Sequence, residues 1–490
     1  MQMMYFTGMG ALCIMNLTNE RGVSMKQYYL AVDIGASSGR HILSWMEDGK
    51  MQLEEIHRFY NGMSDKDGEM CWDVQTLFSE IKAGMKKCAE SGRIPVSMGI
   101  DTWAVDFVLL DENDNILGNT VGYRDSRTEG MDTKVYDIIS EDKLYARTGI
   151  QKQIFNTIYQ LMAVKENHPE HLAKAQTMLM IPDYFHYLLT GVKATEYTNA
   201  STTQLVSPDT KDWDMELIQM LGYPTHIFQK ILKAGSVLGD LTKDIQKEVG
   251  FNCKVVLPAT HDTGSAVLAV PSNEDKTMYI SSGTWSLMGV ERMQADCSPE
   301  SKVLNFTNEG GYDYRFRYLK NIMGLWMIQS LKKELKDAYS FAELCAMAED
   351  AKVDSIVDCN SSEFLAPASM IDAVKHACEA SGQDIPKTPS ELARVIYRSL
   401  AACYGDTVKE IEKMMGYTYT KLHVVGGGSN AGYLNELTAK ATGKTVLAGP
   451  GEATSIGNLM VQMLTAGEWK DLIEARTCVY DSFEIHTYEP

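Results

Sequence analysis

The chain has 490 residues, of which 44% are apolar, and this is the composition of an ordinary globular protein. Because this length exceeds what one hydrophobic core usually organises, we expect two domains. Its 46 basic and 65 acidic side chains give a net charge of −19, which disfavours nucleic acids and anionic membranes as partners.

The ten cysteines are scattered along the chain, and no two of them have the C-x-x-C spacing of zinc ribbons or thioredoxins. In a long chain this distribution is typical of reduced thiols, whereas small secreted domains depend on a disulfide framework. We therefore expect a cytoplasmic protein. No stretch contains the roughly 18 successive apolar residues that a membrane-spanning helix needs.

Residues 1–24 lack the basic start and the small-residue cleavage site of a signal peptide. We predict that they are a disordered leader or an extension of the reading frame. Two units of strand, small-residue turn and strand follow, one near residues 30–45 and one near residues 277–290. Their similarity indicates an internal duplication and predicts two domains, residues 25–270 and 271–490.

The first predicted domain begins with an antiparallel meander over residues 27–60, with Asp48 and Gly49 at its second turn. Apolar residues at spacings of three and four then predict a helix over residues 74–92. A single long strand is predicted over residues 96–111, and residues 140–235 are mainly helical in pattern.

The second predicted domain begins with a hairpin at residues 276–290 that has Ser281, Ser282 and Gly283 at its bend. Thr388 and Glu391 form a capping-box pattern that predicts the start of a long helix, and Gly416 ends it. A strand then enters the sequence GGGSN and a helix follows. Glycine turns between a strand and a helix are common nucleotide sites, since their amides face the ligand.

Residues 35–39, with the sequence GASSG, fit the G-x-S-x-G pattern of serine hydrolases. That pattern requires a helix after the serine, whereas the residues that follow alternate like a strand. We therefore favour a phosphate-binding hairpin, in which the amides and hydroxyls of Ser37 and Ser38 donate to phosphate oxygens. Arg40 adds charge and Asp33 faces a Mg²⁺ ion. A plain tight hairpin without a ligand remains the alternative.

The sequence His261-Asp262-Thr263 ends an apolar strand and precedes small residues, a setting that points a carboxylate into a cleft. Asp262 is therefore the best candidate for a general base, although an aspartate here can also simply cap the next helix. Asp101 and Asp106 are rival carboxylates that could contact substrate hydroxyls or could be surface charges.

Taken together, nine segments in this order resemble the FGGY family of carbohydrate kinases, from about Gln27 to the C-terminal region: AVDIGASSGR, GIDTWAVDFVLLD, YRDSRT, IPDYF, EYTNASTTQL, HDT, SSGTWSLMG, NIMGLW and GGGSN. The resemblance implies an α/β fold with two actin-like, RNase H-type domains around a central cleft. It also implies that the first domain holds most of the sugar and the second most of the ATP.

The resemblance assigns roles to individual residues. Asp262 becomes the catalytic base that also contacts the sugar. One departure is Ala104, where relatives commonly carry glycine, so that the pocket is expected to be slightly narrower. The remaining contacts that the resemblance implies are Ala36, Ser37, Ser38, Gly39 and Arg40 for the phosphates of ATP, Thr284, Gln329 and Gly427 for the rest of ATP, and Ala104, His261, Thr263 and Asn321 for the sugar.

Within the family, the segments resemble the members that act on L-rhamnulose in L-rhamnose catabolism. This implies transfer of a phosphoryl group from MgATP to the C1 hydroxyl, which gives L-rhamnulose 1-phosphate and ADP. The alternatives are a kinase of another ketose such as L-fuculose or L-xylulose, an actin-like ATPase, or a sugar sensor without turnover. We expect a monomer or a small homo-oligomer.

Overall fold

The computed structural model describes residues 26–490 other than Asp275 and Ala366. The predicted leader, residues 1–24, lies outside the described residues. The strands in chain order are β1 (Tyr28–Ile34), β2 (Ser38–Glu47), β3 (Lys50–Tyr60), β4 (Ser64–Lys66), β5 (Glu69–Cys71), β6 (Pro95–Thr102), β7 (Phe107–Leu110), β8 (Thr177–Met180), β9 (Thr195–Glu196), β10 (Val206–Ser207), β11 (Asp212–Trp213), β12 (Ile231–Leu232), β13 (Val237–Asp240), β14 (Lys254–Val256), β15 (Met278–Ser282), β16 (Trp285–Arg292), β17 (Thr307–Gly310), β18 (Phe316–Met323), β19 (Lys421–Val425), β20 (Thr445–Ala448) and β21 (His486–Tyr488).

Helices connect and cover these strands. In chain order they are α1 (Val74–Glu90), α2 (Met131–Tyr136), α3 (Glu141–Thr148), α4 (Thr157–Asn167), α5 (Pro169–Lys174), α6 (Ile181–Thr190), α7 (Tyr197–Ser201), α8 (Met215–Met220), α9 (Lys243–Val249), α10 (Asp262–Leu268), α11 (Pro299–Val303), α12 (Trp326–Glu334), α13 (Phe341–Asp350), α14 (Met370–Ala380), α15 (Pro389–Met415), α16 (Gly432–Thr442), α17 (Ala453–Ala466) and α18 (Leu472–Ser482).

The first large sheet has the strand order β13-β14-β6-β1-β2-β3. The predicted meander is confirmed, because β1, β2 and β3 pair antiparallel in sequence order. Asp48 and Gly49 have φ angles of 51° and 77°, the left-handed values that a tight two-residue hairpin turn needs. Strand β1 also pairs parallel to β6, and this register places Asp33 beside Asp101.

The long strand predicted over residues 96–111 is in fact two strands in different sheets. Strand β6 ends at Thr102, and β7 begins at Phe107 and pairs with β8. Between them Val105 has a φ of 66°, a conformation that a β-branched residue rarely adopts. Thr157 Oγ1 donates to the Val105 carbonyl at 2.6 Å and so helps to hold this break.

The second large sheet has the order β17-β18-β16-β15-β19-β20-β21. It repeats the local plan of the first sheet, since a hairpin, β15–β16, again opens it and the first hairpin strand again pairs parallel to a later strand, β19. This repetition agrees with the internal duplication expected from the sequence.

Helix α15 is the long helix predicted from its caps. Thr388 and Glu391 form the capping box, and Gly416 ends the helix with a φ of 73°. Its apolar face is buried in the core of the second sheet together with α13 and α16. Caps and apolar spacing were therefore sufficient to predict this element.

Helix α17 belongs to the last part of the chain but packs against β1 and β6 of the first sheet and against α10. Its polar side chains bind that sheet directly: Asn458 Nδ2 donates to Asp101 Oδ2 at 2.6 Å, and Gln462 Nε2 donates to the Leu30 carbonyl at 3.0 Å. A helix from the C-terminal part of the chain therefore packs on the first sheet. The domain division at residue 270 stays a prediction.

No helix in the described part of the chain is both long enough and apolar enough to cross a membrane.

Candidate active site

A cleft with a volume of about 370 Å³, open to solvent, lies where the tips of the β1–β2 and β15–β16 hairpins meet the start of α10. Twelve of the site residues predicted from the sequence line it: Asp33, Ala36, Ser37, Arg40, Ala104, His261, Asp262, Thr263, Thr284, Asn321, Gln329 and Gly427. The fold therefore brings together, in one cavity, residues that are up to about 400 positions apart in the chain.

Two predicted residues, Ser38 and Gly39, do not line the cleft. They begin strand β2, where a side chain at position 39 would meet the ring of Phe59 at 2.1 Å. This packing against Phe59 accounts for the glycine without any ligand. The hairpin tip itself is held by Asn61, whose Nδ2 donates to the Gly35 carbonyl at 2.8 Å.

Asp262 is the first residue of α10, and its side chain is 31% exposed at the cleft. Its Oδ1 accepts the backbone N–H of Thr263 at 2.6 Å and the Thr263 hydroxyl at 3.2 Å. Among the described residues, Oδ2 accepts no hydrogen bond. One carboxylate oxygen is thus held in place by the helix start, and the other is free to accept a proton.

Burial in the cleft wall and, next, the negative charge of Asp33 raise the pKa of Asp262 to about 7. A carboxylate with a pKa near neutrality suits a general base, because it is substantially ionised at working pH and still binds a proton readily.

Asp33 and Asp101 form a buried pair of carboxylates behind Asp262. Asp33 Oδ2 accepts from Arg40 Nη2 at 2.9 Å and from the Ser455 hydroxyl at 3.1 Å. Burial, followed by repulsion from Asp33, holds the pKa of Asp101 well above its usual range. Three carboxyl groups therefore lie close together at this end of the cleft, and their repulsion favours protonation of Asp101.

The two rival carboxylates considered from the sequence, Asp101 and Asp106, are fully buried and do not line the cleft. Asp106 Oδ2 accepts the indole N–H of Trp72 at 2.7 Å and that of Trp103 at 2.9 Å. Since Trp103 lines the cleft, Asp106 supports its wall from behind.

His261 and Asn321 belong to a polar network that connects the two large sheets. Arg317 of β18 is fully buried, and its Nη2 lies 3.0 Å from His261 Nδ1. Glu309 of β17 lies 3.2 Å from the same Nη2 atom. Asn321 Nδ2 donates to Gln151 Oε1 at 2.9 Å.

The second hairpin and the glycine turn form the opposite wall of the cleft. Thr284 lies at the hairpin tip, and its hydroxyl donates to Gln329 Oε1 at 3.5 Å. Gly427 also borders the cleft, and a side chain at the neighbouring Gly428 would lie 1.9 Å from the Ser282 hydroxyl. Glycine is required at 428 so that this turn can approach the hairpin.

Sequence reasoning missed part of the cleft wall. Trp103 and Tyr123 line it, together with the segment that contains Ile150, Gln151 and Phe155. No motif marks this segment, and its position depends on the neighbouring helix α4, from which Thr157 and Gln160 donate to the Val105 carbonyl. The part of the cleft wall that the sequence did not predict contains aromatic and amide side chains, which suits a small polar ligand that also has apolar parts.

Comparisons with known proteins agree with this geometry. Residues 28–269 match the N-terminal domain of the FGGY family of carbohydrate kinases, and residues 278–466 match its C-terminal domain. A rhamnulokinase of Oceanobacillus iheyensis is 50% identical over 95% of this chain and 98% of its own length. A rhamnulokinase of Halalkalibacterium halodurans is 52% identical over 94% of this chain and 98% of its own length.

Solved structures show the same fold. A gluconate kinase from Lactobacillus acidophilus superposes with a TM-score of 0.78 at 16% identity, covering 95% of this chain and 94% of its own. A ligand-bound xylulose kinase from the same organism gives 0.77, again at 16% identity and with the same coverage of both chains. The predicted α/β, two-domain architecture is confirmed, and the chain belongs to the FGGY family of carbohydrate kinases.

Proposed function

We propose that this kinase transfers the γ-phosphoryl group of ATP to the C1 hydroxyl of L-rhamnulose and releases L-rhamnulose 1-phosphate and ADP. The observation that carries the chemistry is Asp262, whose free Oδ2 borders a cleft with two hairpin tips around it. The substrate class is supported by relatives named rhamnulokinase that are 50% and 52% identical along 95% and 94% of the chain.

In the proposed step, Asp262 Oδ2 accepts the proton of the sugar hydroxyl while that oxygen bonds to the γ-phosphorus. The bond from the γ-phosphorus to the β–γ bridging oxygen breaks, and ADP carries the electron pair away. The protein mainly positions the two substrates, since phosphoryl transfer asks little covalent chemistry of it. A positioned base contributes about 10²- to 10⁴-fold to the rate.

We propose the site roles that the sequence indicated. For the sugar these are Ala104, His261, Thr263 and Asn321 beside Asp262. For ATP they are Thr284, Gln329 and Gly427 on one wall and the hairpin residues 36–40 on the other. Ala36, Ser37 and Arg40 line the cleft, whereas Ser38 and Gly39 would act only through the backbone of the hairpin.

Asp33 is the proposed ligand for Mg²⁺, either directly or through water. Its Oδ1 accepts no hydrogen bond among the described residues, and it borders the cleft beside two further carboxylates, Asp101 and Asp262. Because burial and the crowding of these carboxyl groups raise the pKa of two of them, a divalent cation beside Asp33 would offset their repulsion. When bound, the ion would neutralise charge that develops between the phosphates.

The test is ADP release by purified protein with MgATP and, in turn, L-rhamnulose, L-fuculose, L-xylulose, L-ribulose and glycerol. We expect the highest kcat/KM with L-rhamnulose and no comparable turnover without sugar. Preference for another ketose would replace the proposed substrate, and sugar-independent turnover would favour an ATPase. Gel filtration of the same sample tests a monomer or small homo-oligomer, and cell fractionation tests the proposed cytoplasmic location.

A further inference from the structure

The environment of His261 is asymmetric around its ring. On one side, Nδ1 lies 3.0 Å from Arg317 Nη2 and 3.4 Å from Glu309 Oε2. On the other side, Nε2 lies 3.4 Å from Asp262 Oδ1, at the cleft. The ring is 9% exposed, so these neighbours and not bulk water decide which nitrogen carries the proton.

Arg317 can only donate, because a guanidinium has five N–H groups, no acceptor, and a charge that proteins do not remove. A proton on Nδ1 would therefore point at another proton across a distance of 3.0 Å. Glu309 Oε2 is the other neighbour of Nδ1, but it lies farther away, at 3.4 Å, and is itself 3.2 Å from Arg317 Nη2. We therefore infer that Nδ1 accepts from Arg317, which leaves the proton of the neutral ring on Nε2. Burial, followed by the charge of Arg317, also lowers the pKa of His261 well below its usual value and keeps the ring neutral.

The position of Arg317 is itself fixed. Its side chain is fully buried, its Nε donates to the Gly310 carbonyl at 2.8 Å, and Glu309, its direct cross-strand partner, lies 3.2 Å from Nη2. A planar guanidinium held at two points cannot rotate freely. Its direction towards His261 is thus a property of the β17–β18 hairpin.

We propose that Arg317 is a positioning residue of this active site: by donating to His261 Nδ1 it fixes the proton on Nε2 and so aims an N–H group at Asp262 and the sugar. The consequence for the base is geometric. Thr263 donates to Asp262 Oδ1, and His261 Nε2 lies 3.4 Å from the same oxygen, so that Oδ2 is the oxygen left to take the substrate proton.

The kinetic part of this inference depends on the proposed function, whereas the tautomer of His261 does not. The first measurement is therefore a ¹⁵N–¹H spectrum of the histidine side chains in ligand-free protein labelled with ¹⁵N-histidine, with His261→Gln used to assign the signal. We expect the wild-type signal of a single neutral tautomer with the proton on Nε2. A proton on Nδ1 would overturn the proposal.

The variants separate the role of Arg317 from its contribution to folding. Arg317→Met alone leaves Glu309 buried without its cation, so the informative variant is the pair Arg317→Met with Glu309→Gln. We expect this pair to show a mixture of His261 tautomers. In metal sites, losing the partner that orients a histidine lowers activity about 10- to 100-fold, and we expect a similar fall in kcat with KM for ATP within about twofold.

Arg317→Lys keeps a buried cation that can still donate to Nδ1, and we expect it to retain mostly the Nε2–H tautomer and a smaller loss of kcat. Arg394→Met is the matched control, since Arg394 also binds buried backbone carbonyls but in the α13–α15 region, away from the cleft. It should leave the His261 signal and kcat unchanged.

If the double variant keeps both the wild-type tautomer and the wild-type kcat, Arg317 has no positioning role. If the wild-type protein does not phosphorylate L-rhamnulose, the proposed function fails, and the spectra still decide whether Arg317 sets the tautomer.

Discussion

At the scale of single residues, Asp262 combines two properties that a sequence pattern does not separate. It is the first residue of α10, although His261 and not Asp262 is the N-cap, and it also faces the cleft with one oxygen free. The helix start holds Oδ1, while the surrounding burial and Asp33 raise the pKa to about 7. The capping interpretation of the His261-Asp262-Thr263 pattern is therefore wrong in its position, since His261 is the N-cap, but the hydrogen bonds from Thr263 still supply the orientation that a base needs.

The raised pKa of Asp262 predicts the pH dependence of catalysis. Only the ionised carboxylate accepts a proton, so kcat/KM for the sugar should rise with pH through about 7 and level off above it. Asp262→Asn should lower kcat by about 10²- to 10⁴-fold and remove this rise. Steady-state kinetics between pH 5.5 and pH 9, a range of about two units around that pKa, provide the measurement. A pH-independent wild-type rate would contradict the assignment of Asp262 as the base.

The same pKa predicts that ionisation of Asp262, which catalysis requires, lowers the stability of the folded protein. Asp262 binds its proton more tightly in the folded protein than in the unfolded chain, so its contribution to stability falls as pH rises from about 4 to about 7. Asp262→Asn removes that titration. We expect the variant to have a higher Tm than the wild type, with a larger difference at pH 8 than at pH 5.

Thermal unfolding of the ligand-free protein at both pH values measures this difference, with Asp406→Asn on an exposed part of α15 as the control. Asp262 also raises the pKa of Asp101, so the Tm difference reports the removal of the Asp262 titration together with the smaller relief of Asp101. Equal Tm differences at the two pH values would argue against a strongly perturbed Asp262.

At the scale of elements, the sequence patterns correctly predicted those helices and strands whose formation depends on residues close to one another in the chain. The meander, α1 and the long helix α15 follow from alternation, apolar spacing and caps. The break at Val105 does not, because its left-handed backbone is stabilised by Thr157, which lies 52 positions further along the chain. Arg317 and the wall around Phe155 were missed for the same reason, since long-range packing places them at the cleft.

The contact between α10 and α17 supports a prediction at this scale. A Cβ atom at Gly457 would lie 1.8 Å from the Ser265 carbonyl oxygen, and this backbone atom cannot move aside as a side chain can. Gly457→Ala should therefore separate the helices and lower the free energy of unfolding by about 1–3 kcal/mol.

Chemical denaturation measures this loss, with Thr465→Ala on the exposed side of the same helix as the control. A stability within about 0.5 kcal/mol of the wild type, which is typical of surface substitutions, would mean that the two helices are less closely packed than described.

At the scale of the whole molecule, the two halves of the sequence are not independent bodies. Helix α17 covers the face of the first sheet, and its Ser455, Asn458 and Gln462 bind Asp33, Asp101 and the Leu30 carbonyl. Apolar residues of α17 complete the core of that face, including Ile456, Leu459 and Met460. Removing the second half thus uncovers buried apolar surface and buried carboxylates together.

This predicts that residues 26–270 alone will not fold as a stable unit, although they contain the whole first sheet. We expect no cooperative transition in calorimetry and a tendency to aggregate, whereas residues 26–490 unfold cooperatively. A fragment that melted sharply near the temperature of the longer chain would show that α17 is not needed to complete the first sheet.

The β17–β18 hairpin touches the first half of the chain beside the sugar end of the cleft, where the Gly310 N–H donates to the Ser201 hydroxyl at 2.7 Å and Arg317 reaches His261. Atoms that are hydrogen-bonded at the contact between two parts of a protein move least when those parts rotate against each other. For a rotation of this hairpin against the first half of the chain, these contacts would be the pivot, and the hairpin tips that we propose to bind the phosphates would move farthest. A rotation too small to disturb the proposed sugar site would still displace those tips by a larger distance.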